Sequence, residues 1–125
     1  MFVNYNANPV GNRVKDCTVR AISKATGKPW IETYLYLCIY GLLSYDMPDA
    51  NRAWSSYLRS IGWKRQGLVN SCPDCYTVRD FCNDHRHGRY ILALSGHVVA
   101  VENGSYFDTW DSGDEFPVYY WTKEE

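Results

Sequence analysis

Two side chains in the sequence, Cys17 and His97, have the types that nucleophilic thiol chemistry needs. A thiol attacks as a thiolate, so it needs a lowered pKa, a base within hydrogen-bonding reach and a third group that holds the base. Cys17 follows Asp16, where a helix is expected to begin, and a helix N-terminus stabilises an anion by roughly 0.3 to 1 kcal/mol. Because one pKa unit corresponds to about 1.4 kcal/mol, the helix alone is insufficient and a reactive Cys17 requires an imidazolium neighbour.

The segment that follows His97 is predicted to place a carboxylate beside it. The Asn-Gly dipeptide at 103–104 predicts a two-residue turn of a β-hairpin. In that register His97 pairs with Trp110, and Asp108 lies on the same face as His97 as a diagonal neighbour, roughly 7 to 8 Å away at Cα. Asp111 points to the other face, and a longer turn would reverse the choice. The sequence therefore favours Asp108 over Asp111 as the third group.

The surrounding pattern predicts helices first and strands last. After a loop over residues 1–15, apolar residues at helical spacing and capping residues predict helices that begin near Asp16, Pro29, Asn51 and Thr77. Alternating and β-branched residues predict strands over 89–95, 97–101, 106–111 and 118–122. This order is typical of an α+β domain in which N-terminal helices pack on a C-terminal antiparallel sheet. With 125 residues and no linker, we expect a single domain over 1–125.

The order of these features resembles a known family. The segment D16-C-T-V-R-A21 opens the first helix, and G88-R-Y-I-L-A-L-S-G-H-V-V-A-V-E-N-G-S-Y-F-D-T-W-D111 carries the histidine and the acid on successive strands. It is similar to the papain-like fold of small C39-like cysteine peptidase proteins of bacteria and phages. The resemblance implies a hydrolase that cleaves an amide or isopeptide bond of a peptide or protein. Cys17 would be its nucleophile, His97 its general base and Asp108 the group that orients the imidazole.

One position departs from that family. The resembling enzymes usually place a glutamine six residues before the nucleophile to stabilise the oxyanion, and Gly11 stands there in this chain. Asn12 is the candidate donor in its place, with the backbone N–H of Cys17 and a further donor as the alternative. Trp110 is the candidate to shield the imidazole and line a substrate groove. The alternative function is a non-enzymatic, phage-type accessory or inhibitory binding protein with the same fold.

The composition limits the classes of partner that we expect for this protein. Thirteen basic and fourteen acidic residues nearly cancel, and without a basic stripe we expect no nucleic-acid partner. No apolar run approaches the ~20 residues of a membrane span, and the first residues lack the basic and apolar regions of a signal peptide. We therefore expect a cytoplasmic protein with free thiols, no membrane association and no cofactor.

A second cysteine pattern could bind a metal. Cys72, Cys75, Cys82 and His85 have the spacing C-x2-C-x6-C-x2-H, which on paper supplies the four ligands of a zinc site. Cys82 and His85 also lie on the apolar face of the fourth predicted helix, which is expected to enter the core. We therefore favour the interpretation without a metal, with Cys72 and Cys75 as loop thiols.

Overall fold

The computed structural model of the chain describes residues 1–68 and 75–123, and within them a six-stranded sheet carries helices on both faces. The α+β class is as predicted. The elements in chain order are β1 (Phe2–Asn4), α1 (Cys17–Thr26), α2 (Trp30–Leu43), α3 (Asn51–Ser60), β2 (Lys64–Gly67), α4 (Val78–Asp84), β3 (Arg89–Leu94), β4 (His97–Glu102), β5 (Ser105–Asp108) and β6 (Pro117–Thr122).

The helix boundaries follow the residues that predicted them. α1 ends at Gly27, whose φ of 73° lies in the left-handed region that favours glycine. α4 begins with a capping box, in which Thr77 accepts from the Asp80 backbone and the Asp80 side chain accepts from the Thr77 backbone. Asp16 occupies the N-cap position of α1 as expected, but its side chain makes no capping hydrogen bond to the helix.

The strand order is β1-β5-β4-β3-β6-β2. The central β4–β5 hairpin turns at Asn103 and Gly104, with φ angles of 49° and 80°, and it pairs Glu102 with Ser105 as the Asn-Gly dipeptide predicts. This register is what carries His97 and Asp108 to one end of the hairpin.

The prediction of a purely antiparallel, C-terminal sheet is wrong in two respects. β1 lies in the segment expected to be a loop and pairs with β5 in parallel. β2 falls between α3 and α4 and pairs with β6. Three residues in β1 are too few to show a period, and all four residues of β2 are exposed, so neither strand has the alternation by which a half-buried strand is recognised.

Each face of the sheet covers its own core. Ile91 packs with α1 and α3, including Ile22 and Trp54, whereas the next residue, Leu92, packs with Phe81 of α4. Side chains of a strand alternate between its faces, so β3 contributes to both cores. α1 is thereby held against β4, which brings the first residue of the helix to the first residue of the strand.

No helix in the described part of the chain is long and apolar enough to span a membrane.

Candidate active site

Cys17 is the first residue of α1 and is partly buried. It lines one cavity with Thr18, His97 and Val98, all of which act on the pKa of its thiol. Burial raises the pKa of the thiol, but His97 first, and then the Val98 backbone N–H and the Thr18 hydroxyl, together outweigh burial and hold the pKa below its usual range. The thiol is therefore in an environment that favours the thiolate.

His97 begins β4, and its side chain is 15% exposed. Its Nε2 lies 2.6 Å from Oδ2 of Asp108, which leaves Nδ1 as the ring nitrogen for Cys17. Burial lowers the pKa of His97, but the hydrogen bonds to Asp108 and to the thiol raise it to about 9. The indole of Trp110 packs against the imidazole with 5.0 Å between ring centroids and is itself half exposed, so it covers one side of the ring.

Asp108 ends β5 and is fully buried. Besides His97, its carboxylate accepts hydrogen bonds from the Ser112 hydroxyl at 2.7 Å, the Thr109 backbone N–H at 2.8 Å and Nη2 of Arg20 at 2.9 Å. Burial raises the pKa of Asp108, but the donors, with His97 first among them, hold it below its usual range. An ionised and fully bonded carboxylate fixes the orientation of the imidazole.

Asp111 lies in a different cluster. It accepts hydrogen bonds from the Tyr106 hydroxyl, the Gly113 backbone N–H and Arg79. The structure thus brings Asp108, rather than Asp111, to His97.

Arg20 links the helix of the thiol to the strand of the acid. The guanidinium is buried, at 3% exposure, and donates from Nη1 to Asp16 at 2.6 Å and from Nη2 to Asp108 at 2.9 Å. The second carboxylate oxygen of Asp16 accepts from the indole N–H of Trp30 at 2.8 Å. The four-residue spacing of Asp16 and Arg20 was visible in the sequence, but nothing in the sequence joined Arg20 to an acid 88 residues away.

The bonds of Asp16 to Arg20 and Trp30 also affect the first turn of α1. The N–H groups of a first helical turn have no partner within the helix, and an N-cap carboxylate commonly accepts from one of them. Here Asp16 is turned to Arg20 and Trp30 instead. The N–H groups of the first turn of α1 are therefore not capped by the Asp16 side chain.

Asn12, the predicted oxyanion donor, lines a neighbouring cavity of about 490 Å³ with Trp30 and Tyr34. Its backbone N–H donates to the Asn8 side chain and its carbonyl accepts from Asn6. The structure does not bring Asn12 into the cavity of about 310 Å³ that Cys17 and His97 line. The role of Asn12 as an oxyanion donor therefore stays a prediction.

Asn51 is a site residue that the sequence suggested only as a helix cap. It lines the cavity of Cys17 and His97, and its Oδ1 accepts from the indole N–H of Trp54 at 3.1 Å. That bond orients the amide and leaves its NH2 group as a donor for a ligand in the cavity. No spacing signal in the sequence connects Asn51 to Cys17, because the two residues begin different helices, α3 and α1, and meet at one cavity only in the folded chain.

The described residues of the zinc pattern, Cys75, Cys82 and His85, do not form a metal-binding cluster. Cys75 is disulfide-bonded, contrary to the expectation of a loop thiol, and Cys72 lies outside the described residues. Burial raises the pKa of Cys82 to about 11, and the ring of His85 stacks on Phe81 while its Nδ1 contacts the Phe81 carbonyl. Within residues 1–68 and 75–123 no three His, Cys, Asp or Glu side chains are arranged to hold a metal ion.

Neither a family model, nor a curated protein, nor a solved structure matches this chain.

Proposed function

We propose that this chain is a papain-like cysteine hydrolase of amide or isopeptide bonds, with Cys17 as nucleophile, His97 as general base and acid, and Asp108 as the orienting group. The observation that carries the proposal is the chain of contacts from the Cys17 sulfur through the imidazole to a fully buried carboxylate. A lowered thiol pKa and an imidazole pKa of about 9 are the conditions under which the pair exists as thiolate and imidazolium at neutral pH.

The chemistry follows from that pair. The Cys17 thiolate attacks the carbonyl carbon, a C–S bond forms, and the carbonyl electron pair moves to oxygen beside the first turn of α1. The tetrahedral intermediate collapses as His97 gives its Nδ1 proton to the leaving nitrogen and the C–N bond breaks. His97 then takes a proton from water, which attacks the thioester, and cleavage of the C–S bond restores the thiolate and releases the acid.

Two cavities flank Cys17 and favour an extended substrate. The cavity of Cys17 and His97 and the cavity of Asn12 and Trp30 share Asp49, and Cys17 lies next to Asp16, which lines the second cavity. A chain that crosses the thiol would have room on both sides of the bond to be cleaved. This geometry supports a peptide or protein substrate.

The test is selective alkylation at pH about 6, with mass spectrometry to map the modified cysteine. We expect iodoacetamide to label Cys17 at least about tenfold faster than Cys38 or Cys82, because only Cys17 has an imidazolium neighbour. His97→Ala should remove that selectivity. His87→Ala, which changes an exposed histidine, is the matched control and should leave it intact.

Measurement of substrate turnover distinguishes a hydrolase from a non-enzymatic binding protein. Hydrolysis of a fluorogenic peptide library that is abolished in Cys17→Ala would support the hydrolase. Selective labelling of Cys17 without turnover of any peptide would favour the non-enzymatic binding protein, and an inert Cys17 would contradict the proposed site altogether.

A further inference from the structure

The outer face of α2 is apolar and uncovered. Its inner face, with Thr33, Leu37 and Gly41, is buried in the bundle with α1 and α3. The rest of the α2 surface and the turn after it carry large apolar side chains that are between 44% and 96% exposed. These residues, here called the α2 stripe, are Ile31, Tyr34, Leu35, Ile39, Leu42, Leu43, Tyr45 and Met47.

A surface helix of a monomer normally turns a polar face to water. In α2, W30-I-E-T-Y-L-Y-L-C-I-Y-G-L-L43, the one charged residue is Glu32, and its carboxylate accepts from the Tyr36 hydroxyl. Contiguous exposed apolar patches of several hundred Å² are rare on monomers and mark interaction sites. The α2 stripe is therefore a surface whose composition indicates a partner.

The size of the stripe fits a protein interface. The exposed fractions of its eight side chains are together equivalent to about five fully exposed residues. At roughly 150 Å² for each large side chain, the stripe presents on the order of 750 Å². Each partner of a standard stable interface buries about 800 Å², so one copy of the stripe per protomer is sufficient for a dimer.

The charges on and around α2 indicate which kind of partner covers the stripe. A helix that lies on a membrane carries Lys and Arg on its polar face, and α2 contains neither. The stripe side chains are themselves uncharged, and the acidic residues beside them are Glu32, which accepts from the Tyr36 hydroxyl, and the exposed Asp46. A second copy of this chain presents the same large apolar side chains, and a net charge of -1 adds little long-range repulsion between copies.

We propose that the α2 stripe is the interface of a homodimer, in which two α2 helices pack antiparallel about a two-fold axis near Cys38. An isologous contact places the same surface of each protomer on its counterpart. Cys38 lies between Leu35 and Leu42 at helical spacing, close to the middle of α2, and it is a partly exposed free thiol. This dimer does not require the chemistry proposed for Cys17, which lies outside the stripe, although Tyr34 of the stripe also lines the cavity beside Cys17.

The first test measures molecular mass by sedimentation equilibrium between about 1 and 100 μM. We expect the 125-residue protein to reach twice its 14.5 kDa mass at the upper end of that range. Leu35→Glu and Leu42→Glu each bury two carboxylates per dimer, so each should raise the dissociation constant at least about 100-fold. Phe116→Glu introduces the same charge at an exposed apolar residue outside α2 and should leave the constant unchanged.

The second test reads the interface through its thiol. Alkylation of Cys38 should be slow in the dimer and at least about tenfold faster after dilution to the monomer or in Leu42→Glu. Labelling of Cys17 in the same samples is the internal reference, and its rate should not depend on concentration. Circular dichroism establishes that both glutamate variants are folded, as expected for substitutions at exposed positions.

Three results would overturn the dimer. One is a wild-type protein that is monomeric at about 100 μM. Another is a dimer that persists in both α2 variants, or a Cys38 whose labelling does not change with concentration. The last is a monomer that binds neutral lipid vesicles, with binding lost in the same two variants. None of these results bears on the hydrolase, whose test is the reactivity of Cys17.

Discussion

At the scale of single residues, His97 is the side chain on which the candidate site depends. It contacts a thiol on one side and a fully buried carboxylate on the other, and Trp110 covers its ring. The helix N-terminus alone lowers a thiol pKa by less than one unit in most cases, so the reactivity expected of Cys17 comes chiefly from the imidazolium. The position of His97 is therefore more informative about function than the position of Cys17.

The pH dependence follows from the two pKa shifts. The pKa of Cys17 is lowered and that of His97 is raised to about 9, so the ion pair exists between those two values. We expect kcat/KM for an amide substrate to fall as pH decreases through the lowered pKa of Cys17, because the thiolate is lost. We expect it to fall again as pH rises through about 9, because His97 loses the proton that the leaving nitrogen needs.

The same shift of His97 affects stability with a definite sign. Its folded pKa of about 9 lies above the ~6.5 of an unfolded chain. The contribution of protonated His97 to the free energy of unfolding is fully present below pH ~6.5 and is lost as pH rises through about 9.

Asp108→Asn removes the negative partner of His97, so the alkaline limb of kcat/KM should move to lower pH. An alkaline limb that stays near 9 in this variant would contradict the assignment of Asp108.

At the scale of elements, the site depends on the approach of α1 to the β4–β5 hairpin. Arg20 spans that approach, with one ion pair inside α1 and one to the end of β5. Both of its carboxylate partners are buried. The guanidinium therefore neutralises charges that would be costly without it, and it holds the helix of the nucleophile to the strand of the acid.

Replacing Arg20 with methionine should lower the free energy of unfolding by about 3 to 5 kcal/mol, because two buried carboxylates lose their partner. Lys24→Met is the matched control, since Lys24 lies one turn further along α1 and pairs with Glu102 at the surface. It should cost no more than about 1 kcal/mol. Urea denaturation measures both, and equal losses in the two variants would show that Arg20 has no special structural role.

At the scale of the whole molecule, one sheet joins two cores. Ile91 and Leu92 are adjacent in β3 and are both fully buried, yet they belong to the clusters on opposite faces. The helices that carry Cys17 and Asn51 lie on one face and α4 on the other. The shared strands predict that the two layers unfold together.

Leu92→Ala tests this coupling. Removing a buried leucine side chain should lower the free energy of unfolding by about 2 to 5 kcal/mol. Trp54, Trp63 and Trp121 belong to the core on the other face, so tryptophan fluorescence chiefly reports that side. We expect the fluorescence and far-UV circular dichroism transitions to coincide and to shift together. A fluorescence transition that does not move would mean that the layers unfold independently.

The sequence predicted what local rules determine. The Asn-Gly turn set the hairpin register, and with it the placement of Asp108 beside His97. Helical periodicity and capping residues predicted all four described helices. The side chain of the N-cap residue Asp16, however, accepts from Arg20 rather than from the helix backbone.

Contacts between distant segments could not be predicted in this way. The pairing of β1 with β5, the ion pair of Arg20 with Asp108 and the entry of Asn51 into the cavity of Cys17 all join segments that no local pattern relates. β2 has four exposed residues and no alternation, so its sequence carries no strand signal. These features are properties of the packed chain, and the papain-like identity of the fold stays a prediction.

The two edges of the sheet affect how the protein behaves at high concentration. One edge is β1, with three residues, and the other is β2, K64-R-Q-G67, which is short, exposed and basic. Short, charged edge strands are poor templates for adding a strand from another molecule. The described sheet edges are therefore poor sites for edge-to-edge growth into fibrils, and the dimer we propose does not use them.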